Sequence, residues 1–236
     1  MKQWMLLPVL LVITITRLYG QEAPAPAADM RDSIRGLKSC SVAGFGNKNN
    51  TVGSPYLYTS WEYMWLDSMN NKPVQRARAF HANLDLEKNM LIIKGQNGHT
   101  YTPEVAGIQA FHFKHRELSY YYVGVETNRQ WKFMQQLVKG KYMLVKDTHI
   151  ILVKADIEDN EPVPGGKEYD EYKKEYSYYL IAAGTPVKVS IRKKLFLSAL
   201  ENDPVALEAS RKFFSLYDGP FDENAAVALI AFINKQ

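Results

Sequence analysis

The residues able to do chemistry are few and scattered. His112-Phe113-Lys114-His115 comes nearest to a metal motif. On a strand its two imidazoles point to opposite faces, because three is an odd step. One ion can then hold both only if the strand ends between them. His99 or Glu117 would be a third ligand, but no spacing requires either. Asp156, Glu158, Asp159 and Glu161 gather carboxylates of the kind Ca²⁺ favours, yet the EF-hand spacing and its glycine are missing. Asp67 and Asp85 can be paired on paper for acid–base work, but nothing in the sequence places them together. Cys40 is the only cysteine, so no internal disulfide forms, and no histidine is marked as its partner. Gly44-Phe45-Gly46 lacks the third glycine of a dinucleotide fingerprint. No Gly-x-Ser-x-Gly elbow, phosphate-cradling loop or His-Glu-x-x-His element occurs. The sequence names no catalytic residue, metal ligand or cofactor-binding residue, and no cofactor is expected.

The aromatic load is the stronger signal. Tyr56, Tyr58, Trp61, Tyr63 and Trp65 fall within one short stretch. Tyr and Trp combine a large apolar body with a polar tip, which suits a surface that stacks on sugar rings or accepts an apolar ligand. The competing reading is that these rings fill a core or a sheet face.

The elements that would position these residues read as follows. In residues 1–20, Lys2 precedes the apolar run Met5 to Ile15, and Leu18-Tyr19-Gly20 ends in a small residue. This is the pattern of a signal peptide cut before Gln21. An N-terminal membrane anchor is the alternative, but the run is short for a bilayer and no second run follows. The formal charge is +4, and removing Lys2 and Arg17 leaves 4 − 2 = +2, too near neutral and too mixed for a nucleic-acid partner. Residues 21–50 are a tether rich in Pro and Ala, then a short helix over Met30 to Lys38 and a loop from Ser39 to Asn50. Asn49-Asn50-Thr51 fits a glycosylation sequon.

Residues 51–155 have β grammar. Phe80, Ala82, Leu84 and Leu86 alternate with His81, Asn83, Asp85 and Glu87, so the first set faces a core and the second faces away. Lys88-Asn89 turns this strand into Met90 to Ile93. Tyr56 to Leu66, Thr100 to Thr102, Ile108 to Lys114, Leu118 to Glu126 and Trp131 to Lys139 read as further strands. Lys141 to Lys146 and His149 to Lys154 read as a hairpin turning at Asp147-Thr148. Residues 156–168 form an acidic loop. Residues 169–191 hold the last strands, with Glu168 to Ile181 read as a turn or helix followed by a strand and Val187 to Ile191 as the end of the sheet.

Residues 192–236 change period. Leu195 with Ala199 and Phe196 with Leu200 sit four apart, as on a helix. Asp203-Pro204 starts a second helix over Val205 to Tyr217, and Asp222 caps a third over Glu223 to Asn234. The fold class expected is α+β: an antiparallel β-meander, as a sheet or partly open barrel, followed by a small C-terminal helical bundle.

The order of features adds a resemblance. A signal peptide precedes Gly53-Ser54-Pro55-Tyr56-Leu57, a meander carrying Trp131-Lys132-Phe133 and Gly140-Lys141-Tyr142, then Tyr178-Tyr179-Leu180, Lys193-Lys194-Leu195 and a helical tail. This is similar to a group of uncharacterised exported proteins of Bacteroidota-type bacteria. The resemblance implies export to the periplasm or cell surface and an α+β build, and no chemistry. The expectation is a non-enzymatic binding or structural component of the bacterial envelope. Its partner would be a protein or small ligand of the envelope, with no stable membrane insertion after cleavage. The alternative is an envelope hydrolase whose catalytic residues come from distant segments.

Overall fold

The computed structural model describes residues 34, 37–42, 45, 51–75, 78–95, 98–104, 107–158, 161–162 and 166–236. The signal peptide, the tether, Asn49 and two thirds of the helix expected over Met30 to Lys38 lie outside them, and Lys38 belongs to β1. Strands run in the order β1 (Lys38–Cys40), β2 (Thr51–Val52), β3 (Glu62–Met69), β4 (Lys72–Pro73), β5 (Phe80–Asp85), β6 (Met90–Lys94), β7 (Thr100–Thr102) and β8 (Ile108–His115). Then come β9 (Leu118–Thr127), β10 (Gln130–Val138), β11 (Tyr142–Val153), β12 (Ile157–Glu158), β13 (Glu161–Pro162), β14 (Asp170–Ala182) and β15 (Thr185–Val189). Helices α1 (Lys193–Ser198), α2 (Pro204–Leu216) and α3 (Glu223–Ile233) complete the chain. The build is α+β, a large open sheet followed by C-terminal helices.

The sheet has 13 strands, with a path β1-β7-β6-β5-β3-β8-β9-β10-β11-β14-β15, β4 beside β3 and β2 beside β14. Every pairing is antiparallel except β2 with β14. From β8 onward the path is a meander, interrupted only by the small β12–β13 pair. Before that it is not, because β3 lies between β5 and β8. Four hairpin turns carry positive φ at both central residues: Asn70-Asn71, Arg116-Glu117, Asn128-Arg129 and Ala183-Gly184. That geometry matches the right-handed twist of the flanking strands.

Several expectations change. Ser39 and Cys40, expected in a loop, belong to β1 and pair with Tyr101 and Thr100 of β7, and the acidic loop expected over 156–168 contains the β12–β13 pair. Asp147-Thr148 is no turn: β11 is one strand of 12 residues, paired along its length with β14. Asp147 is buried and accepts from Lys132 Nζ at 3.1 Å, so its carboxylate serves an ion pair. Glu168 to Ile181 contains no helix; Tyr172 and Tyr176, four apart as on a helix, sit instead on the long strand β14, because β11 offers it a full ladder of partners. The polar set of β5 is not all turned to solvent. Asn83 and Asp85 are buried, since residues 56–61 continue β3 irregularly alongside them.

One face of β3 and β8 carries Met64, Leu66, Phe111 and Phe113, and these join Phe80, Leu84, Leu91 and Ile93 in the main core. Each such side chain contributes about 1.5–3 kcal/mol by leaving water. Phe111 meets Phe133 with ring centroids 5.0 Å apart although β9 lies between their strands, so the sheet bends towards this face. The β5–β6 turn crosses that bend. Asn89 Nδ2 donates to the carbonyl of Trp131 at 2.7 Å, and Asn89 Oδ1 accepts from Phe133 N–H at 3.2 Å.

Beyond β10 the bend reverses. Val125, Met134, Val145 and Ile181 pack on the opposite face, and β15 returns to within 8 Å of β9. The helices cover the first face there, burying Phe196, Leu229 and Ile230 against Leu144, Leu180 and Val189. Asp203 caps α2 by accepting from Val205 and Ala206 N–H, and Asp222 caps α3 by accepting from Ala225 N–H, as the sequence indicated. Polar ties complete the docking. Glu223 Oε2 accepts from Lys146 Nζ at 2.8 Å and from the Tyr178 hydroxyl at 2.5 Å, and Tyr142 donates to Asp203. Among the described residues no helix is long and apolar enough to cross a membrane.

Candidate binding face

The face of β3 opposite the core carries Tyr63, Trp65 and Asp67. Register then decides their neighbours: Tyr63 lies between His81 of β5 and Lys114 of β8, Trp65 pairs with His112 of β8, and His112 pairs with Tyr121 of β9. Cross-strand pairs on one face have side chains in reach of each other. The result is a continuous row, His81–Tyr63–Trp65–His112–Tyr121. Successive ring centroids are 4.7, 6.2, 5.2 and 5.1 Å apart. The indole of Trp65 and the imidazole of His112 are stacked, 8° from parallel. Tyr63 is 37% exposed and Tyr121 48%.

His112 Nδ1 lies 2.9 and 3.0 Å from the two carboxylate oxygens of Asp67. The carboxylate fixes the imidazole plane, and the imidazole in turn holds the indole. Beside Asp67 the surface drops into a groove of about 520 Å³, lined by Ala110, Tyr121, Val123, Gln136, Leu137 and Lys139. Its lining combines apolar Ala110, Val123 and Leu137 with a carboxylate, a phenol, a carboxamide and an ammonium group. That is the composition of a small-molecule site: apolar area for affinity, a few polar groups for orientation.

The five aromatics singled out in the sequence divide. Tyr63 and Trp65 are in the row. Trp61 is half-buried edge-on to Phe45, with Lys94 Nζ 5.9 Å from its ring. Tyr56 is buried against Phe45 and bridges to Asp85. Tyr58 packs edge-on against Phe113 and stacks with the ring of His115. Burial raises the ionisation of the Tyr58 hydroxyl well above the ordinary phenol range and keeps it neutral. Both Tyr56 and Tyr58 do structural work.

The other candidates stay apart. His115 lies across the strand from His112, with its Nδ1 3.1 Å from Glu62. Asp85 is at the far end of the β3–β5 region from Asp67, where its Oδ1 accepts from Glu87 and Lys88 N–H and shapes the turn. Cys40 sits on β1 beside Thr100, with its thiol free. Among the described residues no three His, Cys, Asp or Glu side chains converge on one point. His112, Asp67 and Tyr121 were not joined in the sequence reading. Their separation along the chain hid them, and only the β3–β8–β9 register brings them together.

No family model matches the chain, and no curated protein or solved structure matches it.

Proposed function

We propose that the protein is a non-enzymatic binding component of the bacterial envelope, exported by the signal-like residues Met1 to Gly20. Its aromatic–imidazole row and adjoining groove hold a small ligand or a partner's side chains. The observation that carries this is Tyr121: a large ring, half exposed, that belongs both to the row and to the wall of the groove. Such a ring is costly to leave in water and suits a face that something covers. The test is a thermal-shift screen of the purified protein against oligosaccharides, peptides and fatty acids. A ligand of the folded state raises the melting temperature by mass action. The reading expects at least one positive that is lost in Tyr121→Ala. A positive that stabilises wild type and Tyr121→Ala equally would place the ligand elsewhere.

The second reading, a hydrolase, is favoured by one observation, the bond between His112 and Asp67. A carboxylate that orients an imidazole is half of a nucleophile-activating relay. Among the described residues no serine, threonine or cysteine is hydrogen-bonded to His112. Turnover of chromogenic esters or glycosides, abolished in His112→Ala with the fold intact, would establish this reading.

A further inference from the structure

Strands β10 and β11 part company. Their ladder covers only Gln135, Gln136 and Val138 opposite Lys146, Val145 and Leu144. Yet β10 runs back to Gln130, and β11 continues to Val153 against β14. The ion pair between Lys132 and Asp147 spans the point of separation. Beyond it a cleft of about 560 Å³ opens, lined by Leu86, Lys88 and Asn89 of the β5–β6 turn, by Trp131, and by His149 and Ile150 of β11.

The two lips of this cleft differ. The released edge of β10 is already satisfied, because the Asn89 carboxamide bonds Trp131 O and Phe133 N–H as a neighbouring peptide unit would. The released edge of β11 is not. From Thr148 to Val153 its ladder runs to β14 only, and among the described residues no side chain bonds the main chain on the other side. That leaves about 20 Å of strand edge, flanked by Ile151 and Leu152, which are 38% and 39% exposed. His149 adds an independent sign. Its Nε2 faces Glu175 at 3.5 Å, and its Nδ1 is buried without a partner. With the ε nitrogen protonated towards Glu175, Nδ1 is an acceptor that lacks a donor.

An unpaired strand edge is a template for another extended chain. We propose that the cleft receives an extended segment of a different polypeptide, which hydrogen-bonds to the Thr148–Val153 edge of β11 and places alternate apolar side chains against Leu86, Trp131 and Ile150. The Asn89 amide opposite supports a polypeptide over other occupants, since the facing edge already accepts a peptide-like group.

The test uses isotope-labelled protein and seven-residue peptides selected on it from a random displayed library. Main-chain amide exchange across Thr148–Val153 should slow about tenfold or more when a selected peptide saturates. Each peptide is also made in two forms, N-methylated at odd or at even residues. Pairing through one edge predicts that one form binds like the parent and the other loses about a hundredfold or more. Equal binding of both forms, protection confined to another region, or no selectable peptide would overturn the proposal. So would sedimentation showing a dimer whose own β11 edge is already protected.

Discussion

The carboxamide of Asn234 pairs with the main chain of Tyr142 at both ends: Nδ2 donates to the carbonyl at 2.8 Å, and Oδ1 accepts from the N–H at 2.9 Å. The last helix is thereby fastened to the first residue of β11. Asn89 treats β10 in the same way, and Asn83 does so for residues 58–60. Three asparagines stand in for missing ladder partners where the sheet changes course.

Asn234→Ala should therefore lower stability by about 1–3 kcal/mol, read as a shift in urea midpoint at constant slope. Gly140→Ala should do the same by a different route. A Cβ there would lie 2.4 Å from Asn234 Nδ2 and would push the amide off Tyr142. The double variant should cost little more than the worse single one, because both break one contact.

Asn83 is wholly buried. Its Oδ1 accepts from the N–H groups of Tyr58 and Leu84, and its Nδ2 donates to the carbonyls of Tyr58 and Ser60. Asn83→Ala strands these groups and should cost about 3 kcal/mol or more. Asn83→Leu, although apolar, should be no better, because the stranded partners are backbone.

Ala183 holds φ of +49 in the β14–β15 turn, ahead of Gly184 at +80. Asn-Gly is the pair this turn prefers. Ala183→Asn should raise stability by about 0.5–1 kcal/mol, or a few degrees in melting temperature.

Burial alone would raise the ionisation of Glu223, but the Lys146 ammonium and the Tyr178 hydroxyl outweigh it and hold the carboxyl below its ordinary value. The hydroxyl of Tyr142, with the N–H groups of α2, lowers Asp203 likewise. A carboxylate depressed by folding stabilises above its unfolded value and loses that contribution as pH falls through the folded one. Melting temperature should therefore drop as pH falls below about 4. Glu223→Gln should show a shallower drop, together with a lower plateau near neutrality.

Tyr121→Ala should leave stability within about 0.5 kcal/mol, since the ring is half exposed. Trp65→Ala should cost about 1 kcal/mol or more, because the half-buried indole is stacked on His112. Both should abolish binding of the ligand held by the row and groove, so that binding and stability separate at Tyr121.

Much of the fold was legible where period and punctuation agree. The alternation of Phe80, Ala82 and Leu84, the Lys88-Asn89 turn and the aspartate caps of α2 and α3 all appear in the molecule. What escaped was non-local. Asp147-Thr148 looks like a turn until Lys132 and β14 are placed beside it. Tyr58 resembles Tyr63 on paper, and only the inserted, irregular course of residues 56–61 separates a core phenol from a surface one. The His112–Asp67 contact joins positions 45 residues apart, beyond the reach of any motif.

Thr51 and Val52 pair with Asp170 and Glu171, and Lys174 reaches back to the carbonyl of Leu57 at 2.8 Å. Strand β2 thus has no seat until the penultimate strand of the sheet exists. A chain emerging from ribosome or pore must keep that stretch waiting, without a native partner, while more than a hundred residues follow it out. Such long-range closure slows folding. It also leaves an extended, unclaimed segment that a chaperone can hold during transit.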